Sequence, residues 1–329
     1  MKLRQGALWT TWRGYLERIV ERGSQQADSD LVAEALLQLG ELEQQQGAWE
    51  EAERHYRRAQ TLFQVLRKAS REGEALVNLA YLYAFQDRLE EAIACCQQAV
   101  ACFRCSDDAR GLSIAHNTWG CIYNRQARWG LALEHLTQSL NAARRSGDRL
   151  QEARVWQNIG VVYGQQGQRD QALAYLQTAA GAYAVAGAPA YLASALVGIG
   201  VIHYKEGRWD LARRAYHLAE SLLDQQPVLL EQAQLANNLG LLYREMGREL
   251  QAEAYFGRAV QLWRRLDSHL GTARSLLNLA RLYRRYGREA DAHHALAQAQ
   301  EHLDACPATP AREALRQQIL AELTVIGEL

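Results

Sequence analysis

The 329-residue chain is 48% hydrophobic and contains only four prolines, which excludes a disordered or collagen-like chain and allows one or two ordered cores. Its 37 basic and 37 acidic residues cancel, so no overall field draws it to nucleic acid or to an anionic membrane, and any electrostatic role must be local. Lysine occurs only at Lys2, Lys68 and Lys205, an arginine bias of the kind found in GC-rich bacterial genomes.

At the start of the chain, Lys2, Arg4, Arg13, Glu17 and Arg18 interrupt the apolar core that a secretory signal needs, and a cytoplasmic chain is expected. Residues 8–22 read as a single helix. From residue 29 a forty-residue period takes over. Alanine recurs at Ala52, Ala92, Ala132, Ala172, Ala212, Ala252 and Ala292, and again at Ala59, Ala99, Ala179, Ala219, Ala259 and Ala299, with Ser139 as the one variant. A small-residue column runs through Gly40, Ala80, Gly120, Gly160, Gly200, Gly240 and Ala280, each preceded by a large apolar residue. Three residues on stands an aromatic column, Tyr83, Tyr123, Tyr163, Tyr243 and Tyr283, from which Glu43 and His203 depart.

Each period reads as a helical hairpin. Leu76, Leu79, Ala80 and Tyr83 show the i, i+3, i+4, i+7 spacing of a first helix. Gly47, Gly167, Gly207, Gly247 and Gly287 mark the turn. The second helix offers its alanines for close backbone approach, and Tyr56, Leu136, Leu176, Tyr216 and Phe256 are expected to fill the space between repeats. Pro189, Pro227, Pro307 and Pro310 fall between hairpins, where a helix ends in any case. The uncharged stretch from Gln171 to Tyr204 is no membrane span, because Gly187-Ala188-Pro189 divides it and both halves keep the period. Residues 311–323 read as a lone first helix. The expected organisation is one domain over 1–329: a capping helix in 1–26, seven repeats in 29–306 and a second capping helix in 308–329.

Trp156, Ile159-Gly160, Tyr163, Ala172, Leu176 and Ala179 match in order the framework of the tetratricopeptide repeat (TPR) family, and most of the chain resembles that family. The resemblance implies an all-α fold, a right-handed α-α superhelix or TPR solenoid of seven helical hairpins with a half-repeat cap at each end. The forty-residue unit resembles the longer-helix variety of kinesin light chains and of STAND/NB-ARC sensor superhelices. Leu8-Trp9-Thr10-Thr11-Trp12-Arg13-Gly14-Tyr15-Leu16 is similar to the segment that begins such a sensor.

In a solenoid of this kind the first helices line the concave side. The residue before the Leu-Gly pair reads Gln38, Asn78, Thr118, Asn158, Gly198, Asn238 and Asn278. Asparagine is a poor helix former and gains nothing locally from such a place. The resemblance implies a use, since in peptide-binding members of the family asparagines of this column bond the backbone of an extended ligand. The alternative is that these amides bond neighbouring helices. Val197, Gly198, Val201 and Tyr204 form a candidate apolar pocket, flanked by Arg154, Gln157, Asn158, Asn237 and Asn238; close packing of helices there is the competing reading. Early repeats supply Glu34, Glu41 and Glu74 to the groove and late ones Arg244, Arg274, Arg281, Arg284 and Arg285, so an acidic ligand segment is expected at the end facing the C-terminal repeats.

Cys95, Cys96, Cys102, Cys105 and Cys121 lack a second ligand pair at zinc spacing and read as core thiols. No nucleophile elbow, phosphate loop or His-Glu-x-x-His is present. The expected function is therefore protein or peptide binding in the groove, with no cofactor, metal, nucleic acid or membrane. A ligand-sensing regulatory domain of a STAND-type system is the alternative, and an enzyme the remainder.

Overall fold

The computed structural model describes residues 2–224, 226, 228–306 and 309–327, with the side chains of 2–8, 310, 326 and 327 outside the description. Pro227 and Pro307 lie outside the described residues. Sixteen helices and no strand are found among them: α1 (Lys2–Gln25), α2 (Ser29–Gln46), α3 (Trp49–Val65), α4 (Ala69–Phe85), α5 (Leu89–Cys105), α6 (Ala109–Arg125), α7 (Trp129–Ser146), α8 (Arg149–Gln165), α9 (Arg169–Val185), α10 (Pro189–Lys205), α11 (Trp209–Leu223), α12 (Leu229–Glu245), α13 (Glu249–Arg265), α14 (His269–Arg285), α15 (Glu289–Asp304) and α16 (Pro310–Gly327). The chain divides into two compact units, Met1–Gln168 with α1 to α8 and Arg169–Leu329 with α9 to α16.

The helices stop for a local reason that repeats every twenty residues. Left-handed backbone occurs at Gly47, Gly147, Gly167, Gly187, Gly207, Gly247 and Gly287, and in the same phase at Ala27, Arg67, Asp87, Asp107, Ala127 and Asp267. Each such residue lets the next amides fold back on the last turn, as in Asp87 N to Ala84 O (3.2 Å) and Arg88 N to Tyr83 O (2.8 Å), and so satisfies carbonyls that the helix end would orphan. The next helix begins at once. Asp28, Asp108, Asp148 and Ser268 cap it with a side-chain oxygen, and Pro189 takes the first turn of α10, where its missing N–H costs nothing.

Within a unit, a first helix packs on the second helix before it, on the one after it where the unit has one, and on the neighbouring first helix, as α2 on α4, α4 on α6, α10 on α12 and α12 on α14. Successive second helices make no comparable approach among the described residues. First helices thus stand closer together than second helices, so each unit bends with its first-helix wall on the inner side.

The periodic columns carry the packing. All the column alanines and Ser139 are wholly buried. The bulky residues expected to fill the space between repeats instead lie over the small residue of their own hairpin. A Cβ added at Gly40 would come within 2.6 Å of the Tyr56 ring, at Gly120 within 2.7 Å of Leu136, at Gly200 within 2.3 Å of Tyr216 and at Gly240 within 2.5 Å of Phe256. Gly40, Gly200 and Gly240 make room for a ring, Gly120 for Leu136, and where the glycine is replaced by Ala80 or Ala280 no ring opposes it but Cys96 or Leu296.

Polar latches join one hairpin to the next. Tyr83 donates its hydroxyl to Glu53 (2.9 Å), Arg88 bonds the same carboxylate (2.8 Å), and the Arg88 guanidinium lies 4.2 Å from the Tyr83 ring centre. Five repeats later, Tyr283, Arg288 and Glu253 reproduce the arrangement at 2.8, 2.8 and 4.3 Å. Burial works against the Glu53 carboxylate, but the Arg88 and Tyr83 hydrogen bonds hold its pKa below the usual value. Glu43, a departure from the aromatic column, is fully buried and bonds Arg13 of the cap helix α1 at 2.9 Å. The N-terminal cap is thereby fixed by an ion pair where the interior repeats use tyrosine.

Candidate functional site: the first-helix wall

The polar residues before the Leu-Gly pair do not form a uniform ladder. Asn158 Nδ2 donates to Asn117 Oδ1 at 2.8 Å, and Asn278 Nδ2 donates to Asn237 Oδ1 at 2.9 Å. In both pairs the acceptor lies 41 residues earlier, on the neighbouring first helix. Where that earlier position is apolar, the amide has a different fate. Asn78 (Leu37 before it) reaches Glu41 only at 3.4 Å, and Asn238 (Val197 before it) makes no side-chain hydrogen bond among the described residues. Thr118 returns its hydroxyl to Ile114 O of its own helix. Each asparagine pair still keeps one uncommitted acceptor and one uncommitted donor group, the Oδ1 of Asn158 or Asn278 and the Nδ2 of Asn117 or Asn237. Asn117 was missed at the sequence level, and its signal is the co-occurrence of asparagines at an offset of 41.

In the N-terminal unit, Arg154 is exposed and Gln157 half-buried on α8, beside Asn158. A cavity of about 370 Å³ opens on the wall between α2, α4 and α6, lined by Glu41, Glu74, Val77, Asn78, Phe103, Asp108, Arg110, Gly111 and Ile114. In the C-terminal unit, Val197, Val201 and Tyr204 of α10 are half-buried and pack on that unit's core. Gly198 faces α9, where an added Cβ would stand 3.2 Å from Leu176, so its smallness serves helix packing. Burial raises the pKa of the Tyr204 phenol, with Glu245 adding to the shift and Arg244 opposing it.

The late arginines are unequal. Arg281 Nε and Arg284 Nη1 grip the two oxygens of Glu322 on the cap helix α16, at 2.8 and 2.5 Å. Arg244 bonds Glu245 (2.8 Å), and Arg285 bonds the Arg244 carbonyl (3.2 Å). Arg274 is exposed and has no ion pair among the described residues. The cap carboxylate was invisible to a reading of single columns.

Of the thiols, Cys96 is buried in the core, whereas Cys95, Cys102 and Cys121 are half-buried and Cys105 is exposed, so the core reading fails for Cys105. Burial pushes the Cys95, Cys102 and Cys121 thiols up to about 11, away from thiolate chemistry at neutral pH. No group of three or more metal-ligating side chains is found among the described residues, and no helix of theirs is long and apolar enough to cross a membrane.

A sequence model of the tetratricopeptide repeat family matches residues 31–105, 71–145, 111–184 and 231–305. No curated protein matches the chain. Among solved structures, the chain is similar to a Rap protein complexed with competence and sporulation factor (TM-score 0.66, 17% identity, 88% of this chain and 77% of that one). It is also similar to a Signal Transduction ATPase with Numerous Domains with a tetratricopeptide repeat sensor from Pyrococcus horikoshii (0.63, 16%, 97% of this chain and 50% of that one). A third is BtubC (BKLC) from P. vanneervenii (0.59, 18%, 68% and 94%). At these identities the likeness is one of fold.

Proposed function

Because this chain belongs to the tetratricopeptide repeat family, we propose that it is a non-catalytic, cytoplasmic interaction protein whose first-helix wall binds an extended peptide or protein segment. The observation that carries this reading is the uncommitted amide chemistry of the wall. Among the described residues Asn238 makes no side-chain hydrogen bond, Asn78 has one long bond, and the Asn117–Asn158 and Asn237–Asn278 pairs each keep a donor and an acceptor. A peptide backbone offers the complementary groups at every residue, and each bond contributes about 0.5–1.5 kcal/mol. Val197, Val201 and Tyr204, with Gly198 behind them, would supply apolar contact in the C-terminal unit. An acidic group of the ligand would meet Arg274 first, since Arg281 and Arg284 already hold Glu322. The Rap complex, in which a protein of this fold is seen with competence and sporulation factor, supports the class of partner.

Affinity capture from the native cell tests the reading, with wild type beside Asn78→Ala/Asn238→Ala and, on the second-helix side, Leu250→Ala. The expected result is a partner retained by wild type and Leu250→Ala and reduced about tenfold by the double variant, the effect of about 1.4 kcal/mol lost. Equal retention by all three would move the site off the wall.

A second reading, a ligand-sensing domain of a STAND-type system, is favoured by the cap helix α1. Its outer side leaves Trp9, Trp12 and Tyr15 at 38%, 47% and 49% exposure, with Trp12 and Tyr15 stacked at 5.5 Å. An aromatic surface of this kind suits a neighbouring switch domain. If Trp12→Ala/Tyr15→Ala abolished a regulatory phenotype while groove capture stayed intact, this reading would replace the first.

A further inference from the structure

The cavity between α2, α4 and α6 has a floor and a rim of different chemistry. The floor is apolar, built from Val77, Phe103 and Ile114. The rim and its surroundings carry Glu34, Glu41, Glu74 and Asp108 against Arg71 and Arg110. Those two cations are already engaged. Arg71 binds Glu34 and Glu74, and Arg110 stands 3.2 Å from Asp148. Asp108 is engaged as well, since it caps Gly111 N at 2.8 Å and accepts from Ser70 at 2.6 Å. The negative charge left facing the cavity is that of Glu41, which receives one long bond from Asn78, and of Glu74, whose second oxygen has no hydrogen bond among the described residues.

We propose that this cavity takes one basic side chain, arginine or lysine, of the segment bound along the wall, with its aliphatic stem on Val77, Phe103 and Ile114 and its cation at Glu41 and Glu74. The inference rests on the reading of the wall as a ligand groove and adds a ligand position to it. Its volume, about 370 Å³, is near the lower end for a small-molecule site and accommodates a single long side chain. A long basic residue is the side chain that combines an apolar stem with a charged tip. A glutamate or a wholly apolar residue would leave the rim carboxylates uncompensated. Glu74 already bears that burden: burial raises its pKa, Arg71 opposes the rise, and Glu34, Asp108 and Glu41 add to it. A ligand cation would relieve it. The Asn78 amide, at the cavity edge, is placed to hold the ligand backbone beside that residue.

The experiment uses the full chain and three fluorescein-labelled, end-blocked hexapeptide pools of serine, alanine, asparagine and leucine, with arginine, glutamine or glutamate fixed at the third position. Fluorescence anisotropy is expected to show the arginine pool binding at least about tenfold tighter than the other two, with the difference shrinking in half-molar salt as the ion pairs are screened. Glu41→Gln/Glu74→Gln should erase the preference. Glu41→Gln alone, at an exposed position with one long bond, should reduce it in a chain whose helicity is unchanged. Leu250→Ala, on the second-helix side of the other unit, should leave it intact. The proposal is overturned by equal binding of the three pools, by a preference that survives the double variant, or by no binding of the arginine pool. Failure of the groove reading itself appears differently, as capture of the native partner undiminished by Asn78→Ala/Asn238→Ala.

Discussion

The hairpins α6/α7 and α10/α11 occupy equivalent places in the repeat, two periods apart, yet one has a polar interior and the other an apolar one. Ala193 and Ala219, wholly buried in the C-terminal unit, correspond to Ser113 and Ser139, also wholly buried, in the N-terminal unit. The two hydroxyls meet at 3.0 Å, and Ser139 donates to the Ser113 carbonyl at 2.7 Å. Leu196 and Ala215 correspond to His116 and His135, whose Nδ1 atoms are 3.1 Å apart and whose rings stack with Trp119, 4.0 Å from His135. The difference teaches that this hairpin holds Ser113 with Ser139 and His116 with His135 in its core as mutually bonded pairs, which spares each the full desolvation cost of an unpaired buried group.

The comparison can be broken most forcibly with pH. Burial, the neighbouring histidine and Arg104 depress His116 from 6.5 to about 4, and burial lowers His135 as well. The His116 ring is therefore held neutral in the folded chain down to about pH 4 but protonates near 6.5 when it unfolds. The His116 contribution is complete above that pH and is lost as pH falls from about 6.5 to about 4, by about 3 kcal/mol, and the lowered pKa of His135 acts in the same direction. Urea unfolding across this range should show the slope in wild type and a much flatter one in His116→Leu/His135→Ala, which transplants the α10/α11 residues.

The next effect sharpens the comparison from the other side. Gly200→Ala should cost about 1–3 kcal/mol, because its Cβ meets the Tyr216 ring at 2.3 Å. Adding Tyr216→Leu, which recreates the Ala280 and Leu296 combination, should cost less than the sum of the single changes in a double-mutant cycle. Ser113→Ala alone should destabilise by about 1–2 kcal/mol, and Ser113→Ala/Ser139→Ala, which imitates Ala193 and Ala219, should recover most of it in the same unfolding assay. The smallest effect concerns the turns. Ala127 sits at φ 54° where α10/α11 has Gly207 at 70°, and Ala127→Gly should raise stability by about 0.5–1 kcal/mol by removing the strain of a side chain in left-handed backbone.

The sequence disclosed the hairpin register because a helix presents the same face every 3.6 residues and each hairpin must fit the next one. The alanine columns, the column of a small residue after a large apolar one, and the glycines of five of the seven hairpin turns are local requirements that recur with the period, so they are legible without coordinates. Ala127 and Asp87 in left-handed turns were less visible, since their side chains give no sign of the backbone they adopt. The candidate wall was legible as a set of positions but not as a set of free groups. Asn78, Asn158, Asn238 and Asn278 share one column, yet their amides end in three different circumstances.

What the linear chain determined by itself is the all-α repeat architecture, its period and the side of each hairpin that faces its neighbours, because those follow from spacing along one strand of peptide. What only the tertiary structure decided is which polar groups are spent: Asn158 on Asn117, Arg281 and Arg284 on Glu322, Glu43 on Arg13. Those outcomes depend on side-chain reach between helices brought together by packing, at distances where a few tenths of an ångström separate a hydrogen bond from an open group.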